Sequence, residues 1–244
     1  MIPKIIHYIW FGGKPFPTKI KQCINSWKEY LPDYEFMLWD ETSFDVSVCP
    51  FTQQAYENKK WAFVSDYVRV WVLNEYGGWY LDTDIEILKP LSPYEDNRLV
   101  LGTDHDGALT ALMGSEKGHQ FWGKVLNHYK SMTFINEDGT FNMTVNNTYL
   151  QDLLSEYGYV FQNKYQELDE GIRVYPDDYF HVADVELGTL NITQNSVAIH
   201  WHTLLWTSKT SHFARFVRKK IFIPMFGERF LGFYSKLRKR LKRK

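Results

Sequence analysis

The sequence predicts an α/β fold with an open, mostly parallel sheet flanked by helices. Strand-like and helix-like apolar patterns alternate along the chain, and glycines follow several of the predicted strands. The 244 residues are 44% hydrophobic, which supplies enough apolar side chain for a sizeable core. Because ligands of open α/β sheets bind beyond the carboxyl ends of the strands, we expect functional residues at that edge.

The first predicted elements are a buried strand in KIIHYIWFGG, which ends at a glycine turn, and a helix from Thr18 to Tyr30. A helical pattern over 53–75 closes at Gly77 and Gly78, where a left-handed cap is expected. Further strands are predicted in YEFMLWD (34–40), GGWYLDTDIEILKPL (77–91), RLVLGTD, ALTALMGS and SVAIHWH. Further helices are predicted over 119–129 and in TYLQDLLSEYG.

The cysteines and the N-terminal segment bear on the cellular compartment. Cys23 and Cys49 match no metal-ligand spacing and are too few for a disulfide framework, so we interpret them as structural thiols in a reducing compartment. The apolar run in MIPKIIHYIWFGG is interrupted by Pro3, His7 and Gly12, unlike a secretory signal or a membrane span. The sequence therefore predicts a cytoplasmic chain that does not span the membrane.

The C-terminal end is strongly basic, although the formal net charge of the chain is only −1. Residues 215–244 contain twelve Lys or Arg and a single acid, Glu228, whereas residues 1–214 contain sixteen basic and twenty-eight acidic residues. We predict a catalytic domain over 1–212 and a basic amphipathic helical tail over 213–244 that binds the anionic inner face of the cell membrane. The alternatives are a solvated tail and nucleic-acid binding, and the acidic body disfavours the second.

Carboxylates alternate in GGWYLDTDIEILKPL, where Asp82, Asp84 and Glu86 stand among apolar residues. In a continuous strand this spacing aims them toward one side, where like charges repel. A divalent cation would remove the repulsion, and carboxylate oxygens suit Mg²⁺ or Mn²⁺. Taken alone, the motif also fits a solvated strand edge, and we interpret Glu86 as capping or solvating its strand.

The helical segment before this motif, WAFVSDYVRVWVLNEYGG, is apolar around nearly its full circumference and is therefore predicted to be buried. Asp66 and Arg69 within it need polar partners. One interpretation is an internal ion pair between residues three apart. We favour the other, because a buried pair is a weak source of stability: Arg69 donates to a polar ligand and Asp66 accepts from its hydroxyls.

Three motifs in this order, IPKIIHYIWFGG, SDYVR and YGGWYLDTDIEILKPL, resemble the family 32 glycosyltransferases, which carry an Asp-x-Asp motif. Bacterial capsule and exopolysaccharide transferases, fungal mannosyltransferases and the glucosylating domains of clostridial toxins belong to that group. The fragments GSEKGHQFW, VYPDDYF and AIHWHTLLW extend the likeness over roughly residues 2–206. The resemblance implies a GT-A fold, a nucleotide-sugar donor, Mn²⁺ or Mg²⁺, and retention of anomeric configuration.

The resemblance also implies which residues bind the donor. Trp10 would stack on the nucleobase, while Asp66 and Arg69 would hold the donor sugar and its phosphate. Tyr80 would line the same pocket, and Asp82 would bind the ribose as well as the metal. Without the resemblance, Trp10 and Tyr80 also fit the role of core aromatics.

Asp82, Asp84 and His200 are the metal ligands that the resemblance implies, with Asp84 the more direct carboxylate and His200 a late metal or diphosphate contact. Trp206 would be an aromatic that closes the donor pocket. The segment AIHWHTLLW departs from the more usual pattern of the family, so His200 and His202 could exchange roles. A histidine on an apolar strand also fits a purely structural role.

These expectations combine into a metal-dependent retaining transferase that moves a hexose, from a UDP-hexose rather than GDP-mannose, to a saccharide acceptor. We expect a lipid-linked acceptor and a role in capsular, exopolysaccharide or other surface-glycan synthesis. Asp84, Asp82 and Arg69 are the predicted catalytic residues, because a cation and Arg69 would stabilise the charge of the departing diphosphate. No carboxylate is identifiable as a covalent nucleophile, which favours front-face substitution.

Two other functions fit parts of the sequence. One is a catalytically weak sugar-nucleotide-binding module at the membrane, against which the complete set of acidic residues and Arg69 speaks. The other is an aspartate-nucleophile phosphohydrolase, which also uses Asp-x-Asp and Mg²⁺. That class carries its motif on the first strand, whereas here the motif follows a helix about eighty residues into the chain.

Overall fold

The computed structural model describes residues 1–104, 107–184 and 189–203. The helices are α1 Thr18–Tyr30, α2 Pro50–Glu57, α3 Trp61–Tyr76, α4 Gln120–Lys130, α5 Asn146–Ser155 and α6 Asp177–Phe180. The strands are β1 Ile5–Ile9, β2 Glu35–Trp39, β3 Gly78–Leu81, β4 Ile85–Ile87, β5 Leu99–Asp104, β6 Gly107–Ser115, β7 Gln166–Glu167, β8 Ile172–Tyr175, β9 Ala183–Asp184, β10 Thr189–Leu190 and β11 Ala198–His200. Short 3₁₀ turns cover Val46–Val48, Ser92–Tyr94 and Asp169–Gly171.

Seven strands form the central sheet in the order β2-β1-β3-β6-β5-β8-β7. β1 pairs in parallel with β2 and β3, and β5 pairs in parallel with β8. β6 is antiparallel to both β3 and β5, and β7 is antiparallel to β8. The predicted α/β fold with an open sheet is confirmed, and its parallel half around β1 and β3 brings two strand ends to one edge.

Apolar clusters cover both faces of this sheet. On one face α3 packs with α2 and α4 around buried side chains such as Val68 and Trp122. On the other face α1 presents Ile20, Cys23 and Trp27 at helical spacing, and the Trp27 ring packs in a cluster with Trp79. The sequence predicts burial of α3 on nearly all sides, and nine of its sixteen residues are indeed buried. Both cysteines are free and buried.

The helix predicted over 53–75 is two helices in the structure. α2 ends at Glu57, Lys59 takes a left-handed φ of 57°, and α3 starts at Trp61. The break falls in the polar stretch NKK, where no apolar side chain continues the buried stripe. At the other end of α3, Gly77 ends the helix with a φ of 67° and a ψ of −159°. A glycine at positive φ therefore closes the helix as predicted, but its backbone does not take the left-handed helical conformation that the cap prediction named.

The strand predicted over 77–91 is also divided, because the chain turns between Asp82 and Ile85. The amide of Ile85 donates to the carbonyl oxygen of Asp82 at 2.9 Å, and β4 then leaves the central sheet to pair with β11. The expectation that Asp82, Asp84 and Glu86 face one side of a single strand is therefore wrong. Among the described residues, no helix combines the length and the apolar content needed to cross a membrane.

Candidate active site

The carboxyl edge of β1 and β3 carries the first of the predicted site residues. Because the two strands are parallel and His7 pairs with Tyr80, Trp10 and Asp82 both follow strand ends at this edge. β6 runs in the opposite direction, so its early residues reach the same place, and the amide of Asp82 donates to the carbonyl oxygen of Ala111 at 2.7 Å. The chain reverses direction at the double glycine between α3 and β3, so the start of α3 lies beside the carboxyl end of β3.

Arg69 joins three parts of this edge, which are α3, the turn after β3 and β6. Its Nη2 lies 3.2 Å from Asp66 Oδ1 and 3.5 Å from Asp82 Oδ1. Its Nη1 donates to the carbonyl and the hydroxyl oxygens of Thr110 at 3.0 Å each, and its Nε donates to the carbonyl oxygen of Ser65 at 3.2 Å. Every guanidinium nitrogen therefore has a partner within the protein. The internal ion pair between Asp66 and Arg69, the interpretation that the sequence analysis does not favour, is present, and it extends to Asp82.

Tyr80 completes this arginine cluster. Its ring lies under the Arg69 guanidinium at 4.8 Å from the ring centroid, and its hydroxyl donates to Asp82 Oδ1. Burial raises the pKa of Asp66 to about 6, although the nearby Arg69 opposes this effect. Burial acts to lower the pKa of Arg69, but the Asp82 and Asp66 carboxylates outweigh it and raise that pKa above its usual value. The arginine charge is thus held firmly at the strand edge.

Asp84 lies in a second cluster, which the C-terminal segment supplies. The imidazole of His200 approaches Asp84 Oδ1 at 3.2 Å through Nε2. Thr203 donates to Oδ2 of the same carboxylate from its amide at 2.8 Å and from its hydroxyl at 2.9 Å. The amide of Trp201 donates to the backbone carbonyl of Asp84 at 3.1 Å. Both carboxylate oxygens of Asp84 are therefore oriented by residues that follow it by more than a hundred positions.

The protonation of this second cluster is coupled. Burial acts to raise the pKa of Asp84, but the hydrogen bonds from His200 and Thr203 outweigh it and hold that pKa well below its usual range. Burial also acts to lower the pKa of His200, and its contact with Asp84 raises that pKa above the ordinary value instead. The pair therefore favours a carboxylate facing an imidazolium.

The two clusters meet at three atoms. His200 Nε2 lies 3.2 Å from Asp84 Oδ1 and 3.9 Å from Asp82 Oδ2, and the three side chains together could hold a metal ion. Ligand atoms that surround an ion at about 2.1 Å lie roughly 3–4 Å from one another, so these separations fit a divalent cation. Two carboxylates and one imidazole suit Mn²⁺, since imidazole is a ligand of softer ions than Mg²⁺.

The two candidate histidines lie in different surroundings. His200 contacts the aspartates, whereas His202 Nε2 lies 3.2 Å from His181 Nε2. His181, His200 and His202 form a second group that could hold a metal ion, but the rings of His200 and His202 stack at 3.6 Å with only 32° between their planes. The group around Asp84 combines two carboxylates with one imidazole, whereas the histidine group contains no carboxylate, so the group around Asp84 is the one that matches the predicted ligands.

Trp10 lines a cavity of about 500 Å³ rather than joining either acidic cluster. The cavity is also lined by Lys14, Lys60, Trp61 and Met143 among other residues. The Trp10 ring is 9% exposed, and its indole nitrogen donates to the carbonyl oxygen of Lys14. Trp206, the remaining predicted site residue, lies outside the described residues, as does the predicted tail over 213–244.

Three polar residues at the site were missed in the sequence. Thr110 binds Arg69, and its hydroxyl donates to Asn147 Oδ1 at 2.8 Å. Asn146, at the first position of α5, donates to the carbonyl oxygen of Asp66 at 3.0 Å. Thr203 binds Asp84 as described above. A lone threonine carries no periodic or motif signal, whereas the Asn146-Asn147 pair before a helical pattern was a visible cue to polar groups at a helix start.

The site residues belong to a chain with recognisable relatives. Residues 17–101 match the family described as "Glycosyltransferase sugar-binding region containing DXD motif". "Inositol phosphoceramide mannosyltransferase 3" of Schizosaccharomyces pombe is 33% identical over 140 residues, which cover 54% of this chain and 38% of that protein. "Mannosyl phosphorylinositol ceramide synthase SUR1" of Saccharomyces cerevisiae is 31% identical over 143 residues, which cover 55% of this chain and 37% of that protein. The chain thus spans well under half the length of either relative.

A solved structure described as a glycosyltransferase involved in the glycosylation of the major capsid of PBCV-1 is similar in fold. The likeness covers 84% of this chain and 96% of that one, with 12% identity and a TM-score of 0.46. The observed sheet confirms the predicted α/β fold, and the GT-A type of that fold stays a prediction that this likeness does not decide.

Proposed function

Because residues 17–101 belong to the glycosyltransferase sugar-binding family that contains the DXD motif, we propose that the chain is a metal-dependent retaining glycosyltransferase. It transfers a hexose from a nucleotide sugar to a saccharide acceptor. The observation that carries this proposal is the convergence of Asp82, Asp84 and His200 at the carboxyl edge of the sheet, beside Arg69. The family match over residues 17–101 supports the class of reaction, and this geometry supports the choice of residues.

Asp84, Asp82 and His200 would hold the cation, with Mn²⁺ the better match to the mixed ligand set. When bound, the cation would supply positive charge to the leaving diphosphate. Thr203 holds the Asp84 carboxylate in place through two hydrogen bonds, so the ligand does not have to be ordered at the moment of binding. Arg69 offsets the charge of Asp82 and of the neighbouring Asp66, whereas the charged partner of Asp84 is His200.

Arg69 and Asp66 would act on the donor from the other side of the site. Arg69 is fixed by contacts to Ser65, Thr110 and two carboxylates, so its charge is preorganised near the position where the diphosphate charge develops. Asp66 would accept from hydroxyls of the donor sugar, and Tyr80 would pack against the sugar while it orients Asp82. Without an assigned carboxylate nucleophile, retention is best explained by front-face substitution.

The cavity beside Trp10 would take the nucleobase. Aromatic stacking of a base contributes about 1–3 kcal/mol, and Trp10 and Trp61 both line this space. Lys14 and Lys60 on its wall would favour the negative charge of a nucleotide. Trp206 remains the proposed aromatic that closes the donor pocket.

The names of the relatives bear on the sugar and the acceptor. Both curated relatives are named for mannosyl transfer, so GDP-mannose has to be tested beside the UDP-hexoses that the sequence favours. The first name contains inositol phosphoceramide and the second contains ceramide, which are lipids, and this supports our proposal of a lipid-linked acceptor. We further propose that the chain works at the inner face of the cell membrane, held there by its basic tail, in the synthesis of a capsular or other surface glycan.

A donor screen tests this proposal. The full chain is incubated with a panel of UDP- and GDP-sugars, with Mn²⁺ or with EDTA, and both thermal stabilisation and nucleotide release are measured. We expect one donor to raise the melting temperature and to release its nucleoside diphosphate only with the cation, since a ligand that binds the folded state stabilises it. Donor binding without any release would instead favour a sugar-nucleotide-binding module, and turnover in EDTA would contradict the metal.

A further inference from the structure

One cluster of side chains lies outside the acidic groups described above but is connected to them through the backbone. Lys19 Nζ lies 3.1 Å from Glu86 Oε2 and 3.5 Å from the centroid of the Trp201 ring. Trp201 Nε1 donates to the same Glu86 oxygen at 2.7 Å. A lysine, a carboxylate and an indole therefore bind one another in pairs, and each comes from a different part of the chain.

We propose that Lys19, Glu86 and Trp201 form a latch that holds the segment bearing His200 and Thr203 against Asp84. The latch residues are positioning residues, because none of them reaches the candidate metal ligands with its side chain. This inference depends on the proposed metal site, and it gives Lys19, Glu86 and Trp201 a role that the sequence analysis does not assign to them.

The segment that the latch holds has little support of its own. β11 pairs with β4 over three residues, and these two strands form a separate sheet apart from the seven-stranded one. Isolated two-stranded pairings of this kind are marginally stable. Just beyond the strand, His202 takes a left-handed φ of 45°, a conformation that is uncommon for residues other than glycine. Thr203 reaches Asp84 through this bend.

Trp201 is well placed to hold that bend. It lies between His200, which contacts Asp84, and His202, which has the left-handed backbone. Successive side chains of an extended segment point to opposite sides, so a fixed Trp201 ring on one side keeps the His200 imidazole on the other. The Trp201 amide also donates to the carbonyl oxygen of Asp84 at 3.1 Å, which ties the latch to the metal site by a single residue.

The other two latch residues lie on a rigid base. Glu86 is the middle residue of β4, between two isoleucines that are fully buried on the opposite side. α1 is bound to the same strand, because Trp27 Nε1 donates to the carbonyl oxygen of Ile85 at 2.7 Å and Ser26 Oγ accepts from the amide of Ile87 at 2.9 Å. Lys19 on α1 and Glu86 on β4 therefore keep a fixed separation.

Lys19 also stands where a lysine is unfavourable for the helix itself. It is the second residue of α1, the first turn of this helix contains no acid, and no side chain caps its start. The positive end of the helix dipole disfavours a cation there. Glu86 and the Trp201 ring compensate for this placement, which agrees with a function of Lys19 beyond the stability of the helix.

Mn²⁺ binding by the full chain tests the latch, measured by isothermal titration calorimetry without any donor. Loss of a residue that supports a metal ligand typically weakens metal binding by about 10–100-fold, and the latch acts one step further away, so we expect Trp201→Ala and Glu86→Gln to raise the Kd about tenfold. Trp201→Phe keeps the ring over Lys19 and should have a smaller effect. Lys19→Arg should bind Mn²⁺ like the wild type, and Lys19→Met should not.

A matched control is available on the far side of the domain. Lys124 lies 2.9 Å from Glu156 and 4.8 Å from the Tyr157 ring. A lysine, a carboxylate and an aromatic ring therefore meet here as well, on residues that do not contact Asp84 in the bonds given above. Glu156→Gln should leave the Mn²⁺ affinity unchanged. Melting temperatures measured with EDTA identify a variant that has simply lost its fold, and Glu86→Gln then replaces Trp201→Ala as the deciding variant.

The outcomes separate the latch from the metal site. Wild-type affinity in both Trp201→Ala and Glu86→Gln, together with lost binding in Asp84→Asn, would overturn the latch and leave the proposed metal site intact. A wild-type chain that binds no divalent cation would overturn both. An equal loss of affinity in Glu156→Gln would also overturn the latch, because the effect would then be a general consequence of a lost ion pair.

Discussion

The two aspartates of the DTD motif are two residues apart, yet their surroundings are chemically opposite. Asp82 lies 3.5 Å from the guanidinium of Arg69 and accepts from Tyr80. Asp84 lies 3.2 Å from the imidazole of His200 and accepts from Thr203. The first neighbour carries a permanent charge, and the second carries a charge that depends on pH and that a metal ion can replace.

The two surroundings also differ in how they are assembled. The basic and aromatic partners of Asp82, which are Arg69 and Tyr80, come from the preceding helix and strand, within thirteen residues of it. Those of Asp84 follow it by 116 residues or more, on a short segment that pairs with β4. One half of the motif therefore forms together with the α3 and β3 unit, while the other half is complete only after the C-terminal segment has docked.

Replacement of Asp84 should have the largest effect on activity. Asp84→Asn keeps the size of the side chain but removes the charge that a cation requires, so we expect the rate of nucleotide-sugar turnover to fall about a thousandfold. Initial rates at saturating donor and Mn²⁺ measure this loss. Asp82→Asn serves as the comparison and should cost less, because Oδ1 of Asp82 already serves Arg69 and Tyr80. Equal losses in the two variants would remove the distinction between the aspartates.

Removal of the arginine should destabilise the fold rather than only the site. Arg69→Met leaves the Asp66 and Asp82 carboxylates without their cation in a buried place, and breaking such a pair costs about 3–5 kcal/mol of unfolding free energy. Urea denaturation measures the change. Arg98→Met is the matched control, since its partner Glu116 lies at 2.7 Å but the Arg98 side chain is 47% exposed.

Exposed ion pairs contribute about 1 kcal/mol or less, so Arg98→Met should shift the urea midpoint only slightly. Similar losses of unfolding free energy in Arg69→Met and Arg98→Met would mean that burial of Arg69 adds nothing to stability. The difference drawn between the surroundings of Asp82 and those of Asp84 would then fail. Arg69→Lys should lie between these two variants, because lysine keeps the charge but cannot reach two carboxylates and Thr110 with one planar group.

The pH dependence of stability should distinguish the pair of Asp84 and His200 from the pair of Asp82 and Arg69. The contribution of His200 is full below its ordinary pKa of 6.5 and is lost as the pH rises through its raised folded pKa. The contribution of Asp84 is full above its ordinary pKa of 3.8 and is lost as the pH falls through its lowered folded pKa. The pair therefore stabilises the fold most between these two ordinary values.

The measurement is the difference in unfolding free energy between the wild type and Asp84→Asn, in EDTA. A hydrogen bond between charged groups contributes about 2 kcal/mol, so we expect a difference of that size near about pH 5.5 and a smaller one near about pH 9. The corresponding difference for Arg69→Met should stay constant from about pH 7.5 to 9, since guanidinium does not titrate there. A flat profile for Asp84→Asn would show that His200 does not carry the charge.

The part of the site that contains Asp66, Arg69 and Asp82 was predictable from the sequence, because all three residues lie close together along the chain. Asp66 and Arg69 interrupt an otherwise apolar helix, so burial alone required them to find polar partners. The double glycine after that helix predicted a sharp return to the sheet, which brings Asp82 to the same edge. α1 was also predicted with its observed bounds, because its apolar residues follow one helical face.

The part of the site around Asp84, which the C-terminal segment completes, was not predictable in the same way. The turn between Asp82 and Ile85 contains neither glycine nor proline, so alternation of apolar residues suggested one continuous strand. The sequence therefore suggests that Glu86 caps or solvates that strand, whereas in the structure it binds Lys19 and Trp201. The pairing of β4 with β11 joins segments more than a hundred residues apart, and no local pattern specifies such a contact.

The smallest predicted effect uses two threonines, one in each half of the motif. Thr203→Val removes the hydroxyl that donates to Asp84 but leaves the amide donor, and Thr110→Val removes the hydroxyl that Arg69 and Asn147 share but leaves the carbonyl acceptor. Each change costs about 1 kcal/mol, or roughly fivefold in an equilibrium constant. Thr203→Val should weaken Mn²⁺ binding by that factor and leave donor KM nearly unchanged at saturating Mn²⁺. Thr110→Val should raise the donor KM by that factor and leave Mn²⁺ binding nearly unchanged, because Thr110 binds Arg69 and Arg69 orients the donor. If both substitutions weakened Mn²⁺ binding equally, the acidic residues would form one cooperative unit rather than two halves with separate tasks.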